Sequence, residues 1–195
     1  MRSIDFLSNN RISGDLIEFG VGTGNSLKWI LDITESKGYT FKHVYGVDTF
    51  EGFPETAGHE SSSPFNFIEK GSRKASVPQV LRAIKAKKRS SEISLLQTNL
   101  EKENLEFLDQ TALVHLDLDY SDPTLKALKI IEPTLQIGTV VMFDNYFFFR
   151  ASDQLGERLA LRNFERESSI LLSEFFTYSW HGKAFVVSDI KSKSN

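Results

Sequence analysis

The sequence predicts an α/β protein with a doubly wound, mainly parallel, seven-stranded sheet that ends in an antiparallel hairpin. Apolar runs typical of strands alternate with segments of helical spacing along the chain. The stretch 112–146 contains a strand, a helix and a second strand, the unit that places two parallel strands in one sheet. The last two predicted strands are joined by the short segment 180–183, which contains a glycine and favours an antiparallel pair.

The individual elements follow from these patterns in chain order. Residues 1–13 are expected to form a short helix and a lead-in, and a helix is expected between the glycine-rich turn at 20–24 and Gly38. The other predicted helices are Val77–Arg89, Asn99–Asp109, a segment within 121–135 and Asp153–Ser169. The predicted strands are Asp15–Phe19, His43–Val47, Ile93–Gln97, Ala112–Leu116, Thr139–Phe143, Glu174–Ser179 and Ala184–Ser188.

One connection, residues 49–76, is too long for an ordinary link between two elements. It is rich in glycine, serine and proline, so we expect a functional loop or a segment with a short helix of its own. Two interpretations of this loop, a lid over a bound cofactor and an ordinary surface segment, are both compatible with the sequence.

The composition limits the classes of function. The chain has 195 residues, 40% of them hydrophobic and 25% charged, as is typical of a soluble protein with a sizeable core. The formal charge of −3 gives no general attraction to nucleic acids or membranes. Because cysteine is absent, disulfides, thiolate catalysis and zinc–thiolate sites are excluded. We therefore predict one cytoplasmic domain, residues 1–195, without nucleic-acid or membrane partners, and leave a homo-oligomer open.

A glycine-rich turn follows the first predicted strand and indicates a nucleotide-type ligand. The glycines at 20, 22 and 24 do not have the spacing of the dinucleotide fingerprint. Glu18, just before the turn, is better suited to a cation or a sugar hydroxyl than to a pyrophosphate. Asp48 ends the second strand, where an acid accepts hydrogen bonds from ribose hydroxyls in nucleotide-binding folds.

Polar side chains also follow the fourth and fifth predicted strands. Asp117 and Asp119 come after one of these strands, and Asp144 and Asn145 come after the other. Ligands bind beyond the carboxyl ends of parallel strands, so these side chains are expected to converge. Their hard oxygen atoms suit Mg²⁺ or Ca²⁺. The alternative for Asp117 and Asp119 is that they stabilise the start of the following helix.

Together these features resemble the class I S-adenosylmethionine-dependent methyltransferases, whose first motif is an acid followed by GxGxG. Three blocks more specifically resemble the macrocin O-methyltransferase (TylF/MycF) family. They are Val44–Glu55 (VYGVDTFEGFPE), His115–Thr124 (HLDLDYSDPT) and Gly138 with Phe143–Tyr146 (FDNY). The similarity extends over roughly residues 14–165 and implies a Rossmann-like methyltransferase fold.

The resemblance implies a role for each matching position. Asp119 is the general base, and Asp117, Asp144 and Asn145 are ligands of Mg²⁺ or a similar divalent cation. The implied acceptor is a small molecule, with a hydroxyl that is usually part of a sugar. The residues expected to line the S-adenosylmethionine site are Glu18, Gly20, Val21, Gly22, Asp48, Thr49, Phe50 and Asp117.

The chain departs from the family at one position of the predicted metal site. The family has two consecutive aspartates where this sequence has Asp144 and Asn145, a set that resembles the catechol-type O-methyltransferases. A catechol-type acceptor therefore stays open, as do a nucleotide-dependent oxidoreductase and a catalytically silent cofactor-binding protein. His115 lies within an apolar strand and is expected to be a packed histidine rather than a catalyst.

Overall fold

The structure, a computed structural model, describes residues 2–53, 60, 70–85, 87–100 and 105–191. It contains seven strands and six helices in these ranges, together with one short 3₁₀ turn, Glu132–Thr134. The strands are β1 (Asp15–Phe19), β2 (His43–Asp48), β3 (Glu92–Gln97), β4 (Thr111–Leu116), β5 (Leu135–Phe143), β6 (Ile170–Tyr178) and β7 (Gly182–Ile190). The helices are α1 (Arg2–Asn9), α2 (Asn25–Ser36), α3 (Val77–Ile84), α4 (Ser121–Ile131), α5 (Phe148–Ala151) and α6 (Gly156–Glu167).

All seven strands form one sheet in the order β3-β2-β1-β4-β5-β7-β6. The pairs among β1 to β5 are parallel, whereas β7 runs antiparallel to β5 and β6 runs antiparallel to β7. This confirms the predicted mainly parallel seven-stranded sheet with a C-terminal antiparallel hairpin. The direction in which the strands are added reverses between β1 and β4, and ligands of such sheets bind beyond the strand ends at that point.

The strand side chains point alternately to the two faces of the sheet, and each face is covered by its own apolar cluster. On one face Phe19, Leu116 and Phe143 pack with residues of α4 and α6. On the other face Leu16 and Leu113 pack with residues of α1, α2 and α3. Helices therefore cover both faces, as expected for a doubly wound fold.

The predicted helix Asn99–Asp109 is wrong. Residues 99–100 and 105–109 are not helical, and residues 101–104 lie outside the described ranges. Leu105 packs against the core and Phe107 is buried, whereas Leu108 is 93% exposed. Apolar contacts at alternate positions are those of an extended chain, so the leucines that suggested a helix do not share one helical face.

Several other segments differ from expectation, since β5 begins at Leu135 rather than Thr139 and β6 begins at Ile170 rather than Glu174. The helix predicted for Val77–Arg89 ends earlier, at Ile84. The short α5 was not predicted, and Phe149, Arg150 and Ala151 in it all have positive φ angles. Of the predicted loop 49–76, residues 54–59 and 61–69 lie outside the described ranges, so the expected short helix is not tested there. None of the helices in the described ranges has the length and apolar character needed to span a membrane.

Candidate active site

A cleft of about 730 Å³ lies at the carboxyl ends of the parallel strands, within the range of small-molecule sites. Its walls come from the segments that follow β1, β2, β3 and β4 and from the two ends of the loop 49–76. Six of the eight residues predicted to contact a cofactor line it: Gly20, Val21, Gly22, Asp48, Thr49 and Asp117. Glu18 and Phe50 do not.

The glycine turn fits closely against its neighbours in the sheet. Gly20 has a φ of 86°, and a Cβ atom built on it would lie 1.9 Å from the carbonyl oxygen of Asp117. Only glycine can occupy this position without moving the segment after β4. The backbone amide of Gly22 donates a hydrogen bond of 2.7 Å to Oδ2 of Asp48, so the acid at the end of β2 also fixes the turn.

Glu18 faces the interior of the protein instead of the cleft. Its side chain is fully buried, and Oε1 lies 2.8 Å from Nδ1 of His115. The two residues are register partners on the adjacent strands β1 and β4, and this explains why the carboxylate turns towards the imidazole. The structure therefore does not bring Glu18 to the predicted cofactor site. Phe50 is buried, and it donates its backbone amide to Asp48 Oδ1 at 2.7 Å.

Three of the predicted catalytic and metal-binding residues meet at one side of the cleft. The side-chain amide of Asn145 donates hydrogen bonds to Oδ1 of Asp117 at 2.9 Å and to Oδ1 of Asp119 at 2.8 Å. The Asp144 carboxylate has other neighbours: Oδ1 lies 3.7 Å from Nε2 of His115, and Oδ2 lies 4.0 Å from Nδ1 of His181. Asp144 thus takes no part in the amide bridge between the two aspartates, although its charge contributes to raising the pKa of both Asp117 and Asp119.

The electrostatics of these groups follow from burial and from the neighbouring charges. Burial raises the pKa of Asp119 to about 7, and the nearby Asp117 adds to this shift while Arg73 opposes it. Burial also raises the pKa of Asp117 to about 6. For Asp144, burial alone would raise the pKa, but the interaction with the nearby His115 imidazole holds it below its usual value.

His115 is buried, as expected of a packed histidine, and it also carries charge. Burial alone would lower its pKa, but its interactions with Asp144 and Glu18 raise the pKa well above the usual range. A protonated imidazole between two acids balances part of the negative charge beneath the cleft.

Glu157 was not predicted as a site residue, and for His181 a structural or solvent-facing position was expected. Glu157 is buried, and its Oε2 accepts a hydrogen bond of 2.9 Å from the backbone amide of Asn145. Burial raises its pKa well above the usual value, and the charge of Asp119 adds to the shift. A signal for Glu157 existed, because it shares the buried face of α6 with Leu161 and Phe164, where an acid is unusual. His181 is brought to Asp144 only by the pairing of β5 with β7.

The arrangement of donor atoms does not fit the predicted Mg²⁺ site. Asn145 presents an N–H donor to the two aspartates, whereas a cation requires its carbonyl oxygen. The carboxylate of Asp144 lies 3.7 Å and 4.0 Å from the imidazole nitrogens of His115 and His181. Across the described part of the chain, no group of three or more His, Cys, Asp or Glu residues is arranged to hold a metal ion.

Comparisons with known proteins agree with this architecture. Residues 17–146 match the profile of a family described as a methyltransferase domain. Curated protein sequences give no match. Among solved structures, the O-methyltransferase NovP has a TM-score of 0.76 at 17% identity, over 96% of this chain and 77% of that one. CalS11, a calicheamicin methyltransferase, has a TM-score of 0.65 at 23% identity, over 96% of this chain and 78% of that one.

More distant structures have the same fold. LepI in complex with S-adenosylmethionine has a TM-score of 0.52 at 14% identity, over 98% of this chain and 47% of that one. An rRNA methylase from Streptococcus thermophilus also matches. At these identities the likeness shows the fold alone, so the substrate has to be argued from the site itself.

Proposed function

The chain belongs to a family of methyltransferase domains, whose profile covers residues 17–146, and we propose that it is an S-adenosylmethionine-dependent O-methyltransferase. The observation that carries the proposal is the position of Asp119. Its carboxyl group is buried at the wall of the cleft and has a pKa of about 7. A base with that pKa can take a proton from a hydroxyl group near neutral pH.

The methyl donor is assigned to the cleft beside the glycine turn. Asp48 lies at the end of β2, where an acid can accept hydrogen bonds from the ribose hydroxyls. The presence of S-adenosylmethionine in LepI, a protein of the same fold, supports this choice of donor. In this assignment Gly20, Gly22 and Asp48 hold the nucleoside, and Asp117 and Asp119 face the transferable group.

S-adenosylmethionine, when bound, supplies a sulfonium methyl group that an oxygen nucleophile can displace. The protein's own contribution is to align the acceptor and to remove its proton. In the transfer, a C–O bond forms as the C–S bond breaks, the sulfur keeps the electron pair, and Asp119 receives the hydroxyl proton. Asn145 keeps Asp119 oriented through its hydrogen bond of 2.8 Å.

For the acceptor, we propose a small molecule with a sugar hydroxyl. The resemblance of the three sequence blocks to the macrocin O-methyltransferase (TylF/MycF) family supports this choice. CalS11, which shares the fold, is described as a TDP-rhamnose 3'-O-methyltransferase. A single domain without nucleic-acid or membrane partners belongs to the same proposal. Mg²⁺ assistance follows from the oxygen-bearing side chains at the strand ends and from the resemblance, and we assign no step to it because the donor atoms of Asp117, Asp144 and Asn145 do not fit the ion as arranged.

Isothermal titration of S-adenosylmethionine, with NAD⁺ as the control ligand, tests the donor assignment. We expect S-adenosylmethionine to bind and the Asp48→Ala variant to bind at least about ten-fold more weakly, because hydrogen bonds to the ribose and the bond that fixes the Gly22 turn are lost. Asp122→Asn is the matched control, since Asp122 is an exposed acid outside the cleft lining. Binding of NAD⁺ in place of S-adenosylmethionine would move the protein to the oxidoreductases.

A panel of acceptors then tests the reaction. It contains TDP-rhamnose, simple glycosides, catechol and a short rRNA fragment, and methyl transfer is followed by mass spectrometry. Transfer to a sugar hydroxyl supports the proposal. Transfer to catechol alone would change the acceptor class, and transfer to a base of the RNA would reject oxygen as the acceptor atom.

A further inference from the structure

One carboxylate from the loop 49–76 binds the first residues of two helices. Both oxygens of Glu60 accept from the backbone amide of Ser121, the first residue of α4, at 3.2 Å. Oε1 of Glu60 also accepts from the backbone amide of Gly156, the first residue of α6, at 2.5 Å. Glu60 is distant in sequence from both helices, so the contact is purely tertiary.

Neither helix has a capping side chain of its own. The residues at the N-cap positions are Tyr120 for α4 and Leu155 for α6, and neither makes a side-chain capping hydrogen bond. The first backbone amides of a helix have no partner within the helix, and the helix dipole favours an anion at that end. Glu60 therefore supplies from a distant loop the cap that both local sequences lack.

The predicted general base lies between these two helix starts. Asp119 is two residues before Ser121 and has a φ of 60°, a conformation that is strained for a residue other than glycine. On its other side, a Cβ atom built on Gly156 would lie 3.2 Å from the carbonyl oxygen of Asp119. The start of α4 and the start of α6 thus both adjoin Asp119.

The loop that carries Glu60 is anchored at the donor cleft. The backbone amide of Phe53 donates to the carbonyl oxygen of Ser72 at 3.0 Å, and the amide of Gly71 donates to that of Phe53 at 2.9 Å. Phe53 and Gly71 line the cleft. These bonds do not involve Glu60, so the cleft can keep its lining when the Glu60 side chain is altered.

We propose that Glu60 is a positioning residue for Asp119, which it holds in place by binding the amides of Ser121 and Gly156 together. This inference deepens the proposed function and rests on it for the role of Asp119 as the base. The contact of Glu60 with the two amides does not depend on the proposed function. Loss of Glu60 is expected to slow the chemical step and to leave binding of the methyl donor unchanged.

The first experiment measures the contact without any acceptor. Amide resonances and hydrogen exchange of Ser121 and Gly156 are compared by NMR in the wild type, Glu60→Ala and Glu60→Gln. We expect both amides to exchange roughly ten-fold faster in Glu60→Ala, and millimolar formate, a small carboxylate, to reverse part of this change. Glu60→Gln retains an acceptor oxygen without the charge and should lie between the other two proteins.

Asp122→Asn is the matched control, because it removes a negative charge from the first turn of α4 but takes no part in the hydrogen bonds of Glu60 to Ser121 and Gly156. In this variant we expect the amides of Ser121 and Gly156 to exchange at the wild-type rate. If only one amide, or neither, responds to Glu60→Ala, or if Asp122→Asn has the same effect, the inference is wrong.

The second experiment separates positioning from binding. With the acceptor found in the panel, Glu60→Ala should lower kcat about ten-fold, keep the Kd for S-adenosylmethionine within about two-fold of the wild type, and recover partly in formate. A parallel loss of donor affinity and kcat, or an unchanged kcat, would overturn the role. If the amides respond as expected but the wild type transfers no methyl group, the proposed function fails while the Glu60 contact stands.

Discussion

Nδ1 of His115 lies 2.8 Å from Oε1 of Glu18, and both side chains are buried. The other oxygen of Glu18 has no hydrogen-bond partner in the described part of the chain. The stability of this region therefore depends on the charge of one imidazole, because a buried carboxylate without a partner is costly.

Replacing His115 by glutamine is expected to destabilise the protein by about 3–5 kcal/mol, since it leaves Glu18 without a cation. Urea unfolding of the single and double variants measures this. Glu18→Gln combined with His115→Gln should recover part of the loss, because no buried charge remains. A double variant that loses the sum of the two single effects would show that the pair is not coupled.

The same pair predicts how stability changes with pH. The folded-state pKa of His115 is raised, so its contribution is fully present below its unfolded pKa, about 6.5. That contribution is lost as the pH rises through the higher folded value. The difference in free energy of unfolding between the wild type and His115→Gln should therefore shrink in alkaline solution. A gap that widens there would contradict the assignment.

The carboxyl of Asp119 predicts the pH dependence of methyl transfer. Its folded pKa is about 7, and a general base acts only when deprotonated. We expect kcat/KM to rise with pH through about 7. Asp119→Asn should lower the rate by about 10²–10⁴-fold and remove that rise. A variant that keeps both the rate and the profile would reject Asp119 as the base.

Asp119 should also cost the protein stability at neutral pH. The pKa of Asp119 is raised in the folded protein, whereas in the unfolded chain it is near 3.9. Between these two pH values the folded protein keeps a proton on Asp119 and the unfolded chain does not. The free energy of unfolding therefore decreases as the pH rises from about 4 to about 7. Asp119→Asn is expected to gain roughly 1–3 kcal/mol at pH 8 by urea unfolding. A loss of stability at that pH would show that its hydrogen bond outweighs the cost of burying the charge.

Replacing Asn145 by aspartate tests how the site responds to a divalent cation. In Asn145→Asp a third carboxylate replaces the amide that lies within 2.9 Å of both Asp117 and Asp119. Repulsion should lower the melting temperature, and Mg²⁺ should restore it because carboxylate oxygens bind that ion well. The measurement is thermal unfolding with Mg²⁺ or with a chelator, together with metal content. If the wild type is stabilised as much as the variant, Asn145 already binds the metal and the donor atoms do fit it.

The strands and their order of appearance were predictable because each has its own apolar run. The segment 99–109 was not, because its leucines suggest a helix, whereas among its described residues Leu105 and Phe107 pack inward and Leu108 is exposed. The left-handed turn at Phe149–Ala151 had no signal, since the sequence contains no glycine or asparagine there.

The positions of the acids at the strand ends followed from the topology, but their partners did not. Whether Glu18 faces the cleft or His115 depends on the pairing of β1 with β4, strands that are far apart in sequence. The contacts of Glu60 and His181 likewise come from distant segments. Residue type and spacing thus indicated which rim holds the site, while the hydrogen-bonding network depended on tertiary register.

The position of β7 next to β5 affects how the protein forms during synthesis. The strand β5 carries Val140, Val141 and Phe143, all fully buried in the finished sheet. Until residues 182–190 have left the ribosome, one edge of this strand has no partner and its backbone groups can pair with another chain. A chain that is released before β7 has been synthesised would therefore expose an aggregation-prone strand edge. We expect a chaperone to protect that edge until β7 pairs with β5.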